Sequence, residues 1–347
     1  MNILYGIQGT GHGHLSRAKE LLPELSKYGS IDILMSGYNH NLDVAGNVVF
    51  RKRGLSLIYD QNGSVSISET VKNIDLVRFV SDVTTLSLDK YNLIISDFEP
   101  VTSWAAQAGM KKCVGISHQA SFHSTNVPRP SHQSLLAEKM LEKFAPAGFG
   151  LGFHYRRYDH FIEPPLIRKE IRELKPISGD HITVYLPSYD HQTLENLFQP
   201  IGDIKWEIFS PYCHEPTTRS GHILIHPVDN ERFLKSVESS LGVIAGAGFE
   251  LSSEAMYLGK KLLVVPILNQ YEQLCNATAL AEMGVSVVQH INRTFTESVK
   301  YWIKNGPAMT LPEIADPADV ARRVVHQEYE NSLLDNRQSL QGMKLFF

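Results

Sequence analysis

The segment Leu241 to Val288, LGVIAGAGFELSSEAMYLGKKLLVVPILNQYEQLCNATALAEMGVSVV, constrains this chain more than any other. It opens on an apolar run of strand length, Leu241–Ala245. Gly246-Ala247-Gly248 then leads into a helical pattern, and Leu262–Pro266 forms a second apolar run. Short continuous apolar runs flanking a helix read as parallel strands buried on both faces. A polar cluster follows the second run: Asn269, Gln270, Glu272, Gln273 and Asn276. Ligands of an open parallel sheet bind beyond the carboxyl ends of its strands. The glycine turn and the polar cluster therefore face one crevice. The first offers a helix N-terminus suited to a diphosphate. The second offers a carboxylate and amides suited to sugar hydroxyls.

The N-terminus, MNILYGIQGTGHGHLSRAKELL, repeats the arrangement. Ile3–Tyr5 is a short apolar strand, and Gly6, Gly9, Gly11 and Gly13 lead into an amphipathic helix. One such turn is a weak signal, because glycine is often needed there for sterics alone. Two, one near each end of the chain, predict two Rossmann-like domains facing each other. The length of 347 residues agrees, since single cores stop growing near 250–300 residues.

Strands alternate with helices, the α/β pattern. Strands are predicted at Ile3–Tyr5, Ile31–Met35, Asn47–Phe50, Leu93–Ser96, Lys112–Ile116 and Gly148–Phe153. Helices are predicted at Leu15–Lys27, Ile74–Leu88 and Ser103–Ala108, with Pro100 at a position compatible with a helix start. Pro164–Pro165 stiffens the chain, and the charged stretch after it lacks a strand pattern. The first domain is accordingly placed at 1–165, a linker at 166–180 and the second domain at 181–330. Its strands are expected at His181–Leu186, Trp206–Phe209, His222–Ile225, Leu241–Ala245, Leu262–Val265 and Val285–Val288. Ala318–Leu334 reads as helix, and 331–347 as a tail able to cross back to the first domain.

Composition removes several classes of function. No apolar run approaches the roughly 20 residues that span a bilayer. The start has no basic, cleavable leader. Cys113, Cys213 and Cys275 are odd in number and widely spaced, which argues against a disulfide framework or a CxxC metal site and points to a reducing cytoplasm. A net charge of −4 disfavours a general nucleic-acid binder and says nothing against one bound nucleotide. Phe144 to Tyr158, FAPAGFGLGFHYRRY, reads as a strand with a charged end. Its other reading is peripheral contact with a membrane or a lipid-linked acceptor.

The motifs GTGHGHLSRA, LIISDFEP, AGAGFELSSEA and PILNQYEQLCNA with the following MGV occur in this order across both halves. In them the chain resembles the GT-B glycosyltransferases, the group of the peptidoglycan GlcNAc transferase and the UDP-glycosyltransferases. The resemblance implies an inverting transfer of sugar from a nucleotide diphosphate sugar, a UDP-sugar first, to an acceptor hydroxyl, without an essential metal or other cofactor. It implies phosphate contacts at Gly11, Gly13, Ser188, Gly246, Gly248, Phe249 and Ser252, and a ribose contact at Glu254. It places the donor sugar on Glu272 and Gln273, with Asn276 capping the loop, and Glu99 and His118 on the acceptor side. His14 aligns with the family's base, with His12 as the rival, and Asp97 aligns with the aspartate that orients it. An imidazole with an ordinary pKa of roughly 6.5 suits deprotonation of an attacking hydroxyl.

The chain also departs from the family. Plant members carry His-x-Gly-Trp-Asn-Ser where this chain has Gly246-Ala247-Gly248-Phe249-Glu250-Leu251. Glu250 near a phosphate repels it unless the side chain points away. Glu272 is one methylene longer than the usual aspartate, so the sugar stays open, as does the acceptor, small or lipid-linked. Two other readings share the architecture: a nucleotide-sugar 2-epimerase or hydrolase, and a non-catalytic nucleotide-sugar binding module.

Overall fold

Apolar runs of four to seven residues become parallel strands, and the amphipathic stretches between them become the covering helices. The computed structural model describes residues 1–9, 12–37, 46–55, 75–219 and 221–326. In the first half the strands are β1 (Asn2–Gln8), β2 (Ser30–Ser36), β3 (Val48–Lys52), β4 (Leu93–Asp97), β5 (Val114–Ser117), β6 (Phe149–Phe153) and β7 (Ile162–Glu163). They form one sheet in the order β3-β2-β1-β4-β5-β6-β7, parallel throughout. In the second half they are β8 (His181–Tyr185), β9 (Lys205–Phe209), β10 (Thr217–Arg219), β11 (Ile223–His226), β12 (Gly242–Ala245), β13 (Lys261–Val264) and β14 (Ser286–Val287). Their order is β10-β11-β9-β8-β12-β13-β14, with only β10 antiparallel.

Each sheet reverses its winding once: between β1 and β4 in the first, and between β8 and β12 in the second. These switch points leave crevices at the carboxyl ends of the strands. Both glycine turns lie there, one after β1 and one after β12.

The strands predicted from sequence all occur, shifted at most two residues at an end, apart from β1, which runs three residues further, to Gln8. The helix from Pro100 is present as Pro100–Ala108, capped by Glu99, with Pro100 at its start. The predicted helix at Ile74–Leu88 is Leu76–Thr84, and Ile74 lies outside the described residues. Several described elements were not named from the sequence, and three of them show why. β7 and β10 are two and three residues long, too short to show a period. The helix Leu135–Lys143 buries none of its residues, so no apolar stripe marks it.

The segment 166–180 is stitched to both halves. The Glu20 carboxylate, on the first helix, accepts from the Lys169 backbone N–H at 2.8 Å and from Arg172 at 2.8 Å. At the other end, Lys260 Nζ is buried and donates to the carbonyls of Ile177, Glu238 and Ser240 at 2.7, 2.7 and 2.8 Å. The chain then returns to the first half. Ala315 N–H donates to the Pro165 carbonyl, and Arg323 pairs with Glu163. Val320, Ala321 and Val324 of the helix over 317–326 join the core that holds Ile167 and Ile171. The return is thus made before residue 331, and 331–347 lies outside the described residues.

Replacing Lys260 by Met leaves three carbonyls without their donor, that of Ser240 buried, and removes a buried charge. The expected cost is about 3 kcal/mol, the order for losing a buried charged hydrogen-bond set. Urea denaturation measures it, and a loss below about 0.5 kcal/mol would show that the clamp contributes nothing beyond an ordinary surface lysine.

Candidate active site

The first helix, His12–Leu25, starts at the crevice beside β1. Leu15, Ala18, Leu21, Leu22 and Leu25 set its apolar stripe toward the sheet. His14 and Arg17, three residues apart, share a face. That face meets the end of β4, because β1 and β4 are neighbours with Ile7 opposite Asp97. Asp97 is fully buried, and His14 and Arg17 are 7% and 5% exposed. His14 Nδ1 lies 2.7 Å from Asp97 Oδ1. A carboxylate only accepts, so Nδ1 carries the proton and Nε2 is the basic nitrogen. Arg17 grips the same carboxylate twice, Nε to Oδ2 at 2.9 Å and an Nη to Oδ1 at 3.0 Å. Tyr5 OH donates to Oδ2 at 3.4 Å. Burial pushes the Asp97 carboxyl up, but the Arg17 and His14 charges and hydrogen bonds outweigh it and hold it below the usual range.

Phe98 follows with φ of +52°, a conformation that costs a non-glycine residue energy and is held only by its surroundings. Its ring lies parallel to the His14 imidazole at 6.2 Å and stacks on Phe144 at 4.8 Å. Phe98 also walls a cavity of about 330 Å³, together with Leu141, Phe149 and Phe161. Among the described residues, His123 and His160 are the ionisable ones that line it.

Across the cleft, the helix Phe249–Tyr257 begins at Gly248 with no side-chain cap. Its free N–H groups are therefore available to an anion. Gly246 and Gly248 line a pocket of about 110 Å³ with Ser188, Tyr189, Leu251 and Gln273. A Cβ on Gly248 would touch nothing within 4 Å, so the backbone there stands open. Gln273 Oε1 accepts from the N–H groups of Ala247 at 3.1 Å and Ile267 at 3.0 Å, which ties the glycine turn to the loop after β13.

The remaining candidates are spread over several environments. Glu272 accepts from Gln119 at 2.9 Å and stands 4.0 Å from His118, and burial pushes its carboxyl up. Asn276 donates to the Ala247 carbonyl at 3.0 Å, and its Oδ1 lies 2.8 Å from His118 Nε2, so it joins the two halves. His118 also stacks on Phe249 at 4.1 Å, and burial lowers its pKa to about 4. Glu254 is held by Arg168 at 2.6 and 2.9 Å. Ser252 is fully buried and bonds Tyr155 OH and the Gly248 carbonyl, so its hydroxyl supports the turn from behind. The Glu99 carboxylate is spent on Val101 N–H, Thr102 N–H and Ser36, away from the imidazole. Gly11 and the His12 side chain lie outside the described residues. Gly13 is a notch: a Cβ there would collide with the Glu250 carboxylate. Among the described residues, no three His, Cys, Asp or Glu side chains converge as for a metal ion, and no helix is long and apolar enough to cross a membrane.

A family model described as glycosyl transferase family 1 matches residues 1–307. The chain belongs to this family. It is a glycosyltransferase, and its fold is GT-B, two Rossmann-like domains facing across a cleft. No curated protein matches it in sequence. Similar solved structures include the glycosyltransferase SnogD from Streptomyces nogalater, 14% identical over 94% of this chain and 99% of that one, with a TM-score of 0.57. The calicheamicin glycosyltransferase CalG4 is 13% identical over 99% and 98%, TM-score 0.57. Arabidopsis thaliana UGT89C1, crystallised with UDP-L-rhamnose, is 12% identical over 95% of each chain, TM-score 0.56.

Sequence reasoning missed Arg17 and Arg168 in this glycosyltransferase. Arg17 was within reach: an arginine three residues after a candidate base shares its helix face. Arg168 sits in the segment between the domains and carries no local signal.

Asp97→Asn removes the acceptor that both Arg17 and His14 need. The expected cost is about 3–5 kcal/mol near neutrality, as for one partner lost from a buried pair. Because the folded carboxyl is depressed, its stabilisation is complete above the unfolded value of about 3.9 and fades as pH falls through the folded one. Denaturation of parent and variant should show a constant gap from pH 5 to 8 that closes on acidification below about 4. A gap independent of acid would mean that Asp97 has no depressed pKa.

Proposed function

We propose that this glycosyltransferase moves a sugar from a UDP-sugar to an uncharged acceptor hydroxyl with inversion at the anomeric carbon. One observation carries the reading: the paired His14 and Asp97 face an uncapped helix N-terminus and its pocket across a single cleft. A base opposite an anion-binding seat is what direct displacement of a diphosphate requires. The UDP ligand of UGT89C1 supports the choice of nucleotide.

In this reading residues 1–165 are the acceptor domain and 181–330 the donor domain, joined by 166–180. The diphosphate rests on the N–H groups beyond Gly248, with Ser188 beside it. Glu254 takes the ribose. Bidentate Arg168 uses one lone pair on each oxygen and leaves the others for hydroxyls. Glu272 takes the donor hexose, and Gln273 fixes the loops that shape its seat. His14 Nε2 takes the acceptor proton, and Asp97 stabilises the imidazolium that forms. Phe98 and the cavity behind it receive the acceptor. Among the described residues no Lys, Arg, Asp or Glu lines that cavity, which favours an apolar or aromatic alcohol over a diphosphate-linked lipid.

Calorimetry with UDP and mass spectrometry of transfer to phenolic acceptors test the reading. UDP release with no glycosylated product would favour an epimerase or hydrolase, and binding without turnover a sensor. His14→Ala should lower transfer roughly 10²-fold or more while UDP affinity stays within about twofold, since base and nucleotide sit on different domains. Full transfer in that variant would remove His14 as base. Gln273→Ala should weaken UDP and UDP-sugar alike, by about 1–3 kcal/mol, because two backbone N–H groups lose their acceptor. A loss confined to the UDP-sugar would instead make Gln273 a direct sugar ligand.

A further inference from the structure

Glu250 is the second residue of the helix Phe249–Tyr257, in the turn where a diphosphate would meet free N–H groups. An acidic side chain there suits an empty helix end and repels a bound phosphate. Its carboxylate has gone elsewhere. It crosses the cleft into the notch above Gly13 and places Oε1 3.5 Å from an Arg17 Nη. Arg17 turns its other edge to Asp97, and Asp97 holds His14. Glu250, Arg17, Asp97 and His14 form one line of charges from the donor helix to the imidazole. Other ionisable groups near this line are Tyr5, on the Asp97 carboxylate, Glu272, which feels both His14 and Arg17 from across the cleft, His118, which feels Glu250 and Arg17, and Tyr155, Arg168 and Glu254, which feel Glu250.

We propose that Glu250 is a positioning residue that couples donor occupancy to the base: a bound diphosphate holds its carboxylate on Arg17, where it draws the guanidinium charge away from Asp97 and leaves Asp97 to stabilise the His14 imidazolium. The proposal rests on the donor and base assignments made above. Gly13 belongs to the device, because the carboxylate lies where a Cβ on residue 13 would stand, and a larger residue there would push it aside.

Two substitutions test it, and they act in opposite senses on the donor. Glu250→Gln keeps the shape and removes the charge. It should bind UDP and inorganic pyrophosphate roughly threefold tighter or more, through lost repulsion. Its kcat should fall roughly tenfold, with the acid limb of the kcat profile displaced. Gly13→Ala closes the notch and returns the charge to the phosphate. It should lower kcat similarly but weaken UDP and pyrophosphate. A merely structural contact would not split affinity and turnover in this way. Weaker pyrophosphate binding by Glu250→Gln, or no change in either quantity, overturns the proposal. If the parent binds pyrophosphate but no nucleotide, the nucleotide-sugar reading fails, while the two pyrophosphate shifts still decide whether Glu250 and the anion compete. If the parent binds neither ligand, both readings fall.

Discussion

The buried carboxylate of Asp97 is the interaction on which this cleft depends. A charge with no exposure to water is costly unless it is paired and fully hydrogen-bonded. Arg17, His14 and Tyr5 meet that need from the first helix and the neighbouring strand. The requirement fixes much else. β1 must lie beside β4, the helix must present residues 14 and 17 together, and the imidazole must expose Nε2 rather than Nδ1. The first sheet's switch point is thereby organised from within, before any ligand enters.

The second half reaches that point through few but specific contacts. Phe249 stacks on His118, Ser252 bonds Tyr155, and Asn276 bonds His118. These second-half residues lie on the helices that follow the glycine turn and β13. Parts that would shape a nucleotide seat are therefore the same parts that hold the domains together. Arg168 extends this economy to the segment joining the domains, since it grips Glu254 while Lys169 and Arg172 grip Glu20. Movement of one half against the other would be felt at the Glu254 carboxylate.

Much of this was legible in the chain. Apolar runs gave the strands within two residues at most ends, because strands buried on both faces leave an unbroken signal. The two glycine turns located both switch points, and the family resemblance paired His14 with Asp97. Partnerships across long separations were not legible. Glu254 reads as a ribose contact, and nothing near it announces Arg168, 86 residues away. Glu99 looks like a substitute for Asp97, yet its carboxylate caps its own helix, because two N–H groups after Pro100 needed an acceptor. The helix Leu135–Lys143 escaped because it buries no residue and so needs no periodicity.

The glycine turn after β12 carries a final argument. It lacks the His, Asn and Ser side chains found in the plant enzymes, and it places an acidic residue where Asn stands there. Loss of side-chain donors shifts phosphate binding onto the backbone, which demands an uncapped helix and a close approach. Gly248 meets both demands, with no side chain and open space where a Cβ would be. Backbone N–H groups cannot move aside, so such a seat is rigid and tolerates little negative charge nearby. An acidic residue at position 250 is then tolerable only with a cation to receive it elsewhere. Arg17 is that cation, and the notch at Gly13 is the way to it. The departures at 246 and 250 thus form one arrangement with Gly13: removing the side-chain cradle and adding a carboxylate make sense together only where the opposite half takes up the charge.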